Sequence, residues 1–319
     1  MKLTIRDAPY DRASFSTATY NWDMSEKTTQ NAKLTIVPTP IGNLGDMTIR
    51  AIRALESSDA IYAEDTRVAK KLISALDLKV NALIFRLDEN MMSSHAEDVA
   101  DMVASGKTVA YCSDAGMPGV SDPGLRLVSL LREKGIPVDV LPGASASITA
   151  YVASGSKSPC FYFGGFLPRK ESQKEDVLEK LSGLEASLIF YESPNRLVSS
   201  LKAIAKMFPC REVSVCRELT KMHEEIVRGN TGEVAGQFEE RERNGKIKGE
   251  CAIVIDAMPD LESAQADRNA LLEASRLAKK MAEDGESTKS AVRKMVELTG
   301  INKNKAYEIF LDAKSDSDE

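Results

Sequence analysis

The chain lacks any run of 18 apolar residues, and its N-terminus carries no apolar segment of the secretory kind. Neither a transmembrane helix nor a signal peptide is expected, so the reading is a soluble protein without membrane partners. Histidine is nearly absent, with only His95 and His223. The five cysteines, Cys112, Cys160, Cys210, Cys216 and Cys251, are odd in number and widely spaced. They form neither a disulfide framework nor a zinc-ligand pattern, so buried or half-buried thiols and no metal are expected. A net charge of −6 over 319 residues argues against a generally basic nucleic-acid coat but leaves room for a local basic face. Neither GxGxxG nor GxxxxGK(S/T) occurs, which disfavours NAD and ATP. What is present is 43% hydrophobic residues, enough for two domains with sizeable cores and a small appendage.

Residues 1–31 have no sustained periodicity and hold the one tryptophan, Trp22. They read as a flexible extension; Arg6 and Arg12 suit organelle targeting, whereas Asp7, Asp11, Asp23 and Glu26 oppose it. Across 32–144 the strand-like runs LTIV, AIYA, ALIF, TVAYC and VDVL alternate with helical stretches, the first starting at a capping Asp46. Such alternation implies right-handed βαβ units and a parallel sheet covered on both faces. Across 145–258 strands read at FYFGGF, SLIFYE, EVSVCREL, EEIVRG and CAIVIDA. Residues 212–218 and 224–229 lie too close together for a helical crossover, so this second α/β domain has a mixed sheet. Residues 262–319 are charged and strand-free. They place a helix, a turn at Thr299 and Gly300, and a second helix opening with Asn302, Lys303, Asn304, Lys305 and Tyr307. That is helix-turn-helix spacing, and a helical hairpin serving stability or dimerisation fits it equally.

Candidate chemistry clusters at strand ends, where open α/β sheets bind ligands. The first two strands run into PTPIGNLGD and into Glu64, Asp65 and Arg67 of AEDTR. Acid and base together at such a strand end mark a candidate active site. The alternative is an ion-pair network bracing the second strand. SDAGMPGVSDPG, residues 113–124, suits a nucleoside-like ligand, with Asp114 at the strand tip; Gly/Pro loops also simply turn corners. LPGASAS is a third such turn. In the second domain Tyr191, Glu192, Arg217, Glu218 and Lys221 end two strands, either as solvated charges or as the other wall of a cleft. Arg241, Arg243, Lys246 and Lys248 read as a basic loop, either a solvated hairpin or helix end or a contact for RNA phosphates.

In order, PTPIGNLGD, AEDTR, SDAGMPGVSDPG, LPGASA, GFLP, FYES, RELTK and KGE resemble the rRNA small subunit methyltransferase I family of the tetrapyrrole methylase superfamily. The resemblance spans about residues 33–256, and the tail resembles that family's C-terminal region. It implies the α/β, two-domain class III methyltransferase fold, with a parallel-sheet first domain, a mixed-sheet second domain and an all-α helix-turn-helix-like tail. It implies S-adenosyl-L-methionine as donor, folded in the cleft between the domains, and a homodimer. The implied reaction is 2′-O-methylation of a cytidine in small-subunit (16S) rRNA, naked or within an assembled 30S particle. The implied compartment is the cytoplasm, or an organelle if the source is eukaryotic. Carried over, donor contacts fall at Ile41, Gly42, Cys112, Ser113, Asp114, Met117, Ser145, Ala146, Glu192 and Leu219, and related enzymes use an acid equivalent to Glu64 as proton acceptor. For the proton of the ribose hydroxyl Glu64 ranks first and Asp65 second, and Arg67 and Lys221 complete the catalytic set as orienting or phosphate-binding cations. Met117 departs from the threonine of many members, and residues 1–31 lie outside the family pattern. Rival readings are a tetrapyrrole or protein-directed methylase, a nucleotide-dependent oxidoreductase and a ligand-sensing DNA-binding regulator.

Overall fold

A computed structural model of the chain describes residues 32–88, 91–245, 247–257 and 261–317. The expectations for residues 1–31, for Lys246 and for the Met258–Pro259 boundary lie outside these residues. Two compact units are present: one takes in the chain as far as Thr39 together with Met47–Gly143, the other Pro40–Asp46 and the chain from Ala144 on.

The first unit is built on five strands, β1 (Leu34–Ile36), β2 (Ala60–Ala63), β3 (Leu83–Arg86), β4 (Val109–Cys112) and β5 (Val138–Val140). All pair in parallel, in the order β3-β2-β4-β1-β5. Side chains alternate across a strand, so β2 sends Ala60 and Tyr62 to one core and Ile61 and Ala63 to the other. Both cores are dry, as a parallel sheet between helical layers requires. Helices α1 (Ile49–Ser57) and α2 (Thr66–Ala75) cover one face, and α3 (Met92–Ala104) and α4 (Gly124–Glu133) the other. Asp46 does not cap α1, contrary to expectation. Leu44–Asp46 is a single 3-10 turn, and Thr48 accepts the Ala51 N–H, three residues on, as N-cap.

The second unit holds α5 (Ala146–Ala153), β6 (Phe161–Phe166), α6 (Glu171–Lys180), β7 (Ser187–Glu192), α7 (Leu197–Met207), β8 (Glu212–Arg217), β9 (Glu225–Asn230), α8 (Thr231–Asn244) and β10 (Cys251–Ile255). The sheet order is β6-β7-β10-β8-β9. Only β6 and β7 are parallel, and the short β8–β9 connection makes the antiparallel hairpin expected. Helices α6, α7 and α8 cover the face bearing Cys251, Ile253 and Ile255. The opposite face, with Ala252 and Val254, packs on Ile41, Ala150 and Leu219. Three further helices, α9 (Leu261–Glu283), α10 (Thr288–Thr299) and α11 (Lys303–Ser317), enclose their own apolar cluster around Met295 and Phe310. Gly300 ends α10 in the left-handed region, and Asn302 accepts the Lys305 N–H to open α11.

One further expectation needs correction: Cys160 and Cys210 are exposed rather than buried, because each sits at an element's edge and not within a strand. Arg241 and Arg243 lie in the last turns of α8, bonded to Glu225 and Glu239, the helix-end placement that is one reading of this basic stretch.

Candidate active site

In the first unit, the sheet order sets the C-terminal ends of β2 and β4 side by side. Glu64 extends that ladder by one residue, donating its N–H to Cys112 O at 3.3 Å. Its carboxylate then meets the start of the 113–124 loop, where Oε2 accepts the Asp114 N–H at 3.4 Å. Asp114 reciprocates, its Oδ1 accepting the Asp65 N–H at 3.1 Å. Glu64, Asp65 and Asp114 are therefore held together by backbone bonds. No ion pair engages Glu64 among the described residues.

The three carboxyls differ in electrostatics. Burial, and then the charges of Asp114, Asp122 and Asp88, push the Glu64 carboxyl above its ordinary 4.5, against the Asp114 N–H bond. Asp114 is likewise raised, chiefly by burial. Asp65 is strongly lowered by its side-chain bonds to Arg67, which it also meets as N-cap of α2 through the Arg67 N–H at 2.8 Å. Of the two acids ranked for proton transfer, Glu64 is shifted toward greater basicity and Asp65 away from it.

The loop after β4 is pinned from both sides. Thr39 and Gly116 exchange backbone bonds of 2.9 and 3.1 Å, and Thr39 Oγ1 donates to Ser113 O at 3.2 Å. Asp122 Oδ1 accepts the N–H groups of Gly119 and Gly124 at 2.7 and 2.8 Å. Sequence reasoning passed over Asp122, although an Asp before Pro-Gly is the usual signal of such a side-chain turn. Ser113 Oγ is buried without a hydrogen-bond partner among the described residues, Cys112 is buried, and Met117 is half-buried. Burial lifts the Cys112 thiol to about 12, which makes it inert as a nucleophile.

In the second unit, Ile41 packs in one apolar cluster with Leu219, and Gly42 sits against residues 219–221. A Cβ at Gly42 would strike Lys221 Cγ and come within 2.9 Å of Thr220 Oγ1, so this contact admits only glycine. Thr220 Oγ1 is buried and unbonded among the described residues. Glu218 and Thr220 both adopt positive φ, at 52° and 65°, a strained backbone. Lys221 Nζ donates to Glu218 and Glu250, each at 2.9 Å. Ser145 caps α5 and shares a 3.1 Å bond with Ser147, Ala146 begins that helix, and the Ser147 N–H donates to the Tyr191 hydroxyl at 2.9 Å. Glu192 is placed otherwise. Its carboxylate is wholly buried, accepting from the Ser193 N–H, from Arg196 and from Ser200 Oγ, so the side chain is fully engaged within its own unit.

Among the described residues no group of three His, Cys, Asp or Glu side chains could hold a metal. The fold and these glycine-rich strand-end loops match a known class: residues 33–235 fit the family of tetrapyrrole (corrin/porphyrin) methylases. The chain is 38% identical over 278 residues to "Ribosomal RNA small subunit methyltransferase I" of Bacillus subtilis (strain 168), covering 87% of this chain and 93% of that protein. It is 41% identical over 215 residues to the protein of the same name from Thermotoga maritima, covering 67% and 96% respectively. The chain belongs to the tetrapyrrole methylases and, within them, to the ribosomal RNA small subunit methyltransferase I family. Solved structures share the fold at low identity. A cobalt precorrin-4 methyltransferase aligns with TM-score 0.52 at 19% identity over 71% of this chain and 95% of its own. Diphthine synthase aligns with TM-score 0.54 at 12% identity over 70% and 89%. One fold therefore serves enzymes with different names, and the acceptor has to be argued from elsewhere.

Proposed function

We propose that this chain transfers the methyl group of S-adenosyl-L-methionine to the 2′-hydroxyl of a cytidine in small-subunit (16S) ribosomal RNA. The observation that carries this reading is the 38% identity to a protein named ribosomal RNA small subunit methyltransferase I along 93% of its length. The donor supplies an electrophilic methyl on a sulfonium, which leaves as a neutral thioether. Two buried hydroxyls without partners among the described residues, Ser113 Oγ and Thr220 Oγ1, stand in the loops assigned to the donor and offer it hydrogen bonds. Ile41, Leu219 and half-buried Met117 supply apolar surface, while Gly42, Asp114, Ser145 and Ala146 supply close backbone and polar contacts. Glu192 contributes by its main chain, and its carboxylate fixes Arg196 at the start of α7.

Transfer requires the acceptor oxygen and the methyl carbon in line, about 3 Å apart, so positioning dominates the chemistry. The ribose hydroxyl loses its proton as the O–C bond forms. Glu64 accepts it, a task favoured by its raised pKa and by the lack of a paired cation among the described residues. Asp65 shapes the first turn of α2, and Arg67 and Lys221 orient the acidic groups they bond or meet a phosphate.

A homodimer fits the apolar surface of edge strand β6 and helix α5, where Val152, Phe161, Tyr162 and Phe166 are 71, 43, 41 and 58% exposed. No helix among the described residues is long and apolar enough to cross a membrane. The cytoplasm, where small subunits are assembled, is the proposed compartment.

The test is incubation with donor carrying a tritiated methyl group and either naked small-subunit rRNA or assembled 30S particles, followed by mapping of the label. Label on one cytidine ribose supports the reading; label only on a tetrapyrrole or a protein, or no transfer to either RNA form, overturns it.

A further inference from the structure

A cavity of about 800 Å³ opens in the second unit at the end of β8, the outer face of α8 and the connection from α8 to β10. Its lining contains no residue assigned above to the donor or to proton transfer. Its size falls within the ~300–1,000 Å³ of small-molecule and nucleotide sites.

The walls are built and braced. Gly249, at φ 89°, has no room for a Cβ, which would strike the Glu218 side chain. The Glu218 N–H donates to Glu250 O, and Glu218 Oε1 accepts the Glu250 N–H, both at 3.0 Å. The α8–β10 connection is thereby latched to the strained 218–220 turn. Arg217 Nη1 donates to Lys248 O at 2.6 Å, and Arg217 and Arg241 share Glu225 at 3.1 and 2.8 Å. The Arg241 guanidinium lies 4.9 Å from the centre of the Phe238 ring, which floors the cavity.

The lining is chemically mixed, and that narrows the occupant. Gln237 and Asn244 are exposed amides that both donate and accept; Glu240 accepts; Arg241 and Lys248 are exposed cations. A ligand carrying only negative charge would face Glu218 and Glu240, and an apolar ligand would leave these polar groups unmatched. A nucleotide of a single strand presents phosphate to the cations and base edges to the amides and carboxylate.

We propose that this cavity binds a nucleotide of the ribosomal RNA substrate other than the one methylated, since Glu64 is not part of it. The inference rests on the proposed function. Its occupant would press on the same turn, 217–221, that carries Leu219 and Lys221.

Full-length protein with Lys248→Glu, or with Gln237→Ala and Asn244→Ala together, tests it. These side chains are exposed, and unchanged melting temperature and donor Kd serve as folding controls. Lys248→Ala covers the case in which charge reversal disturbs the loop. With an RNA substrate containing the target, each variant should raise the RNA KM about ten-fold at unchanged kcat. The lysine variants should also flatten the dependence of log affinity on log salt by about 0.7. A wild-type RNA KM in all variants overturns the proposal while leaving the function standing, and a loss of donor affinity instead overturns it by making this a donor site. A wild-type protein that methylates no rRNA sinks the functional reading itself.

Discussion

The strand ends of the two sheets carry similar residues and use them differently. At the strand ends of the second unit several charges are matched: Glu192 with Arg196, Lys221 with Glu218 and Glu250, Glu225 with Arg217 and Arg241. In the first unit Glu64 and Asp114 face each other and Asp122, with the neighbouring cation Arg67 already taken by Asp65. Paired charges set shape; a desolvated carboxylate among like charges is held at higher free energy and is basic enough to act. The acid count is therefore a poor guide to chemistry, and the pairing is a good one.

The largest effect that sharpens this contrast is on rate. Glu64→Gln should lower kcat by about 10²–10⁴-fold with donor Kd unchanged, the span typical of a lost general base. Measured by methyl transfer to RNA, retention of wild-type kcat would remove Glu64 from the mechanism. On the paired side, Glu192→Ala leaves Arg196 half-buried without its carboxylate and should cost about 3 kcal/mol in urea unfolding. A cost within experimental error would show that the second sheet's pairs do not shape it.

The pH dependence comes next. The Glu64 pKa is raised in the folded state, so kcat should rise with pH through a midpoint above 4.5, and Asp114→Asn should move that midpoint down by removing a like charge. Stability runs in the opposite sense. Between the unfolded and folded values the native state binds more protons than the unfolded chain, so ionising Glu64 destabilises as pH rises. Glu64→Gln should accordingly raise Tm at neutral pH, a gain that vanishes below the unfolded carboxyl value. Equal Tm at both pH values would show the carboxylate is not held at a cost. The smallest effect belongs to Asp65→Asn. Asparagine caps a helix as well as aspartate, and an exposed pair with Arg67 adds little. Both kcat and Tm should stay near wild type; a collapse of kcat like that of Glu64→Gln would make Asp65 the base.

Much of this architecture was legible along the chain because its signals are local. Runs such as AIYA and CAIVI, broken by Gly and Pro turns, place strands, and the short spacing between β8 and β9 dictates a hairpin. Legibility failed where one short-range cap competed with another, as at Asp46 and Thr48, and where burial decided a side chain's role. Arg196 lies four residues after Glu192, a spacing that could have been read, but the burial that engages the Glu192 carboxylate could not. Asp122, which accepts the N–H groups of Gly119 and Gly124, was passed over although the Asp-Pro-Gly run carries its turn signal.

By itself the sequence determined the alternation of elements, the mixed second sheet, the separate helical tail and the family, through periodicity, turn chemistry and eight ordered motifs. Only the tertiary structure decided which residues act together. Glu64 and Asp114 stand 50 residues apart and meet because β2 pairs with β4 across the sheet order β3-β2-β4-β1-β5. Pro40–Asp46 follows a strand of the first unit yet packs with the second, where Gly42 admits residues 219–221. Burial and pairing are properties of neighbours in space, and the loss of water that raises the Glu64 pKa exists only once those neighbours are in place.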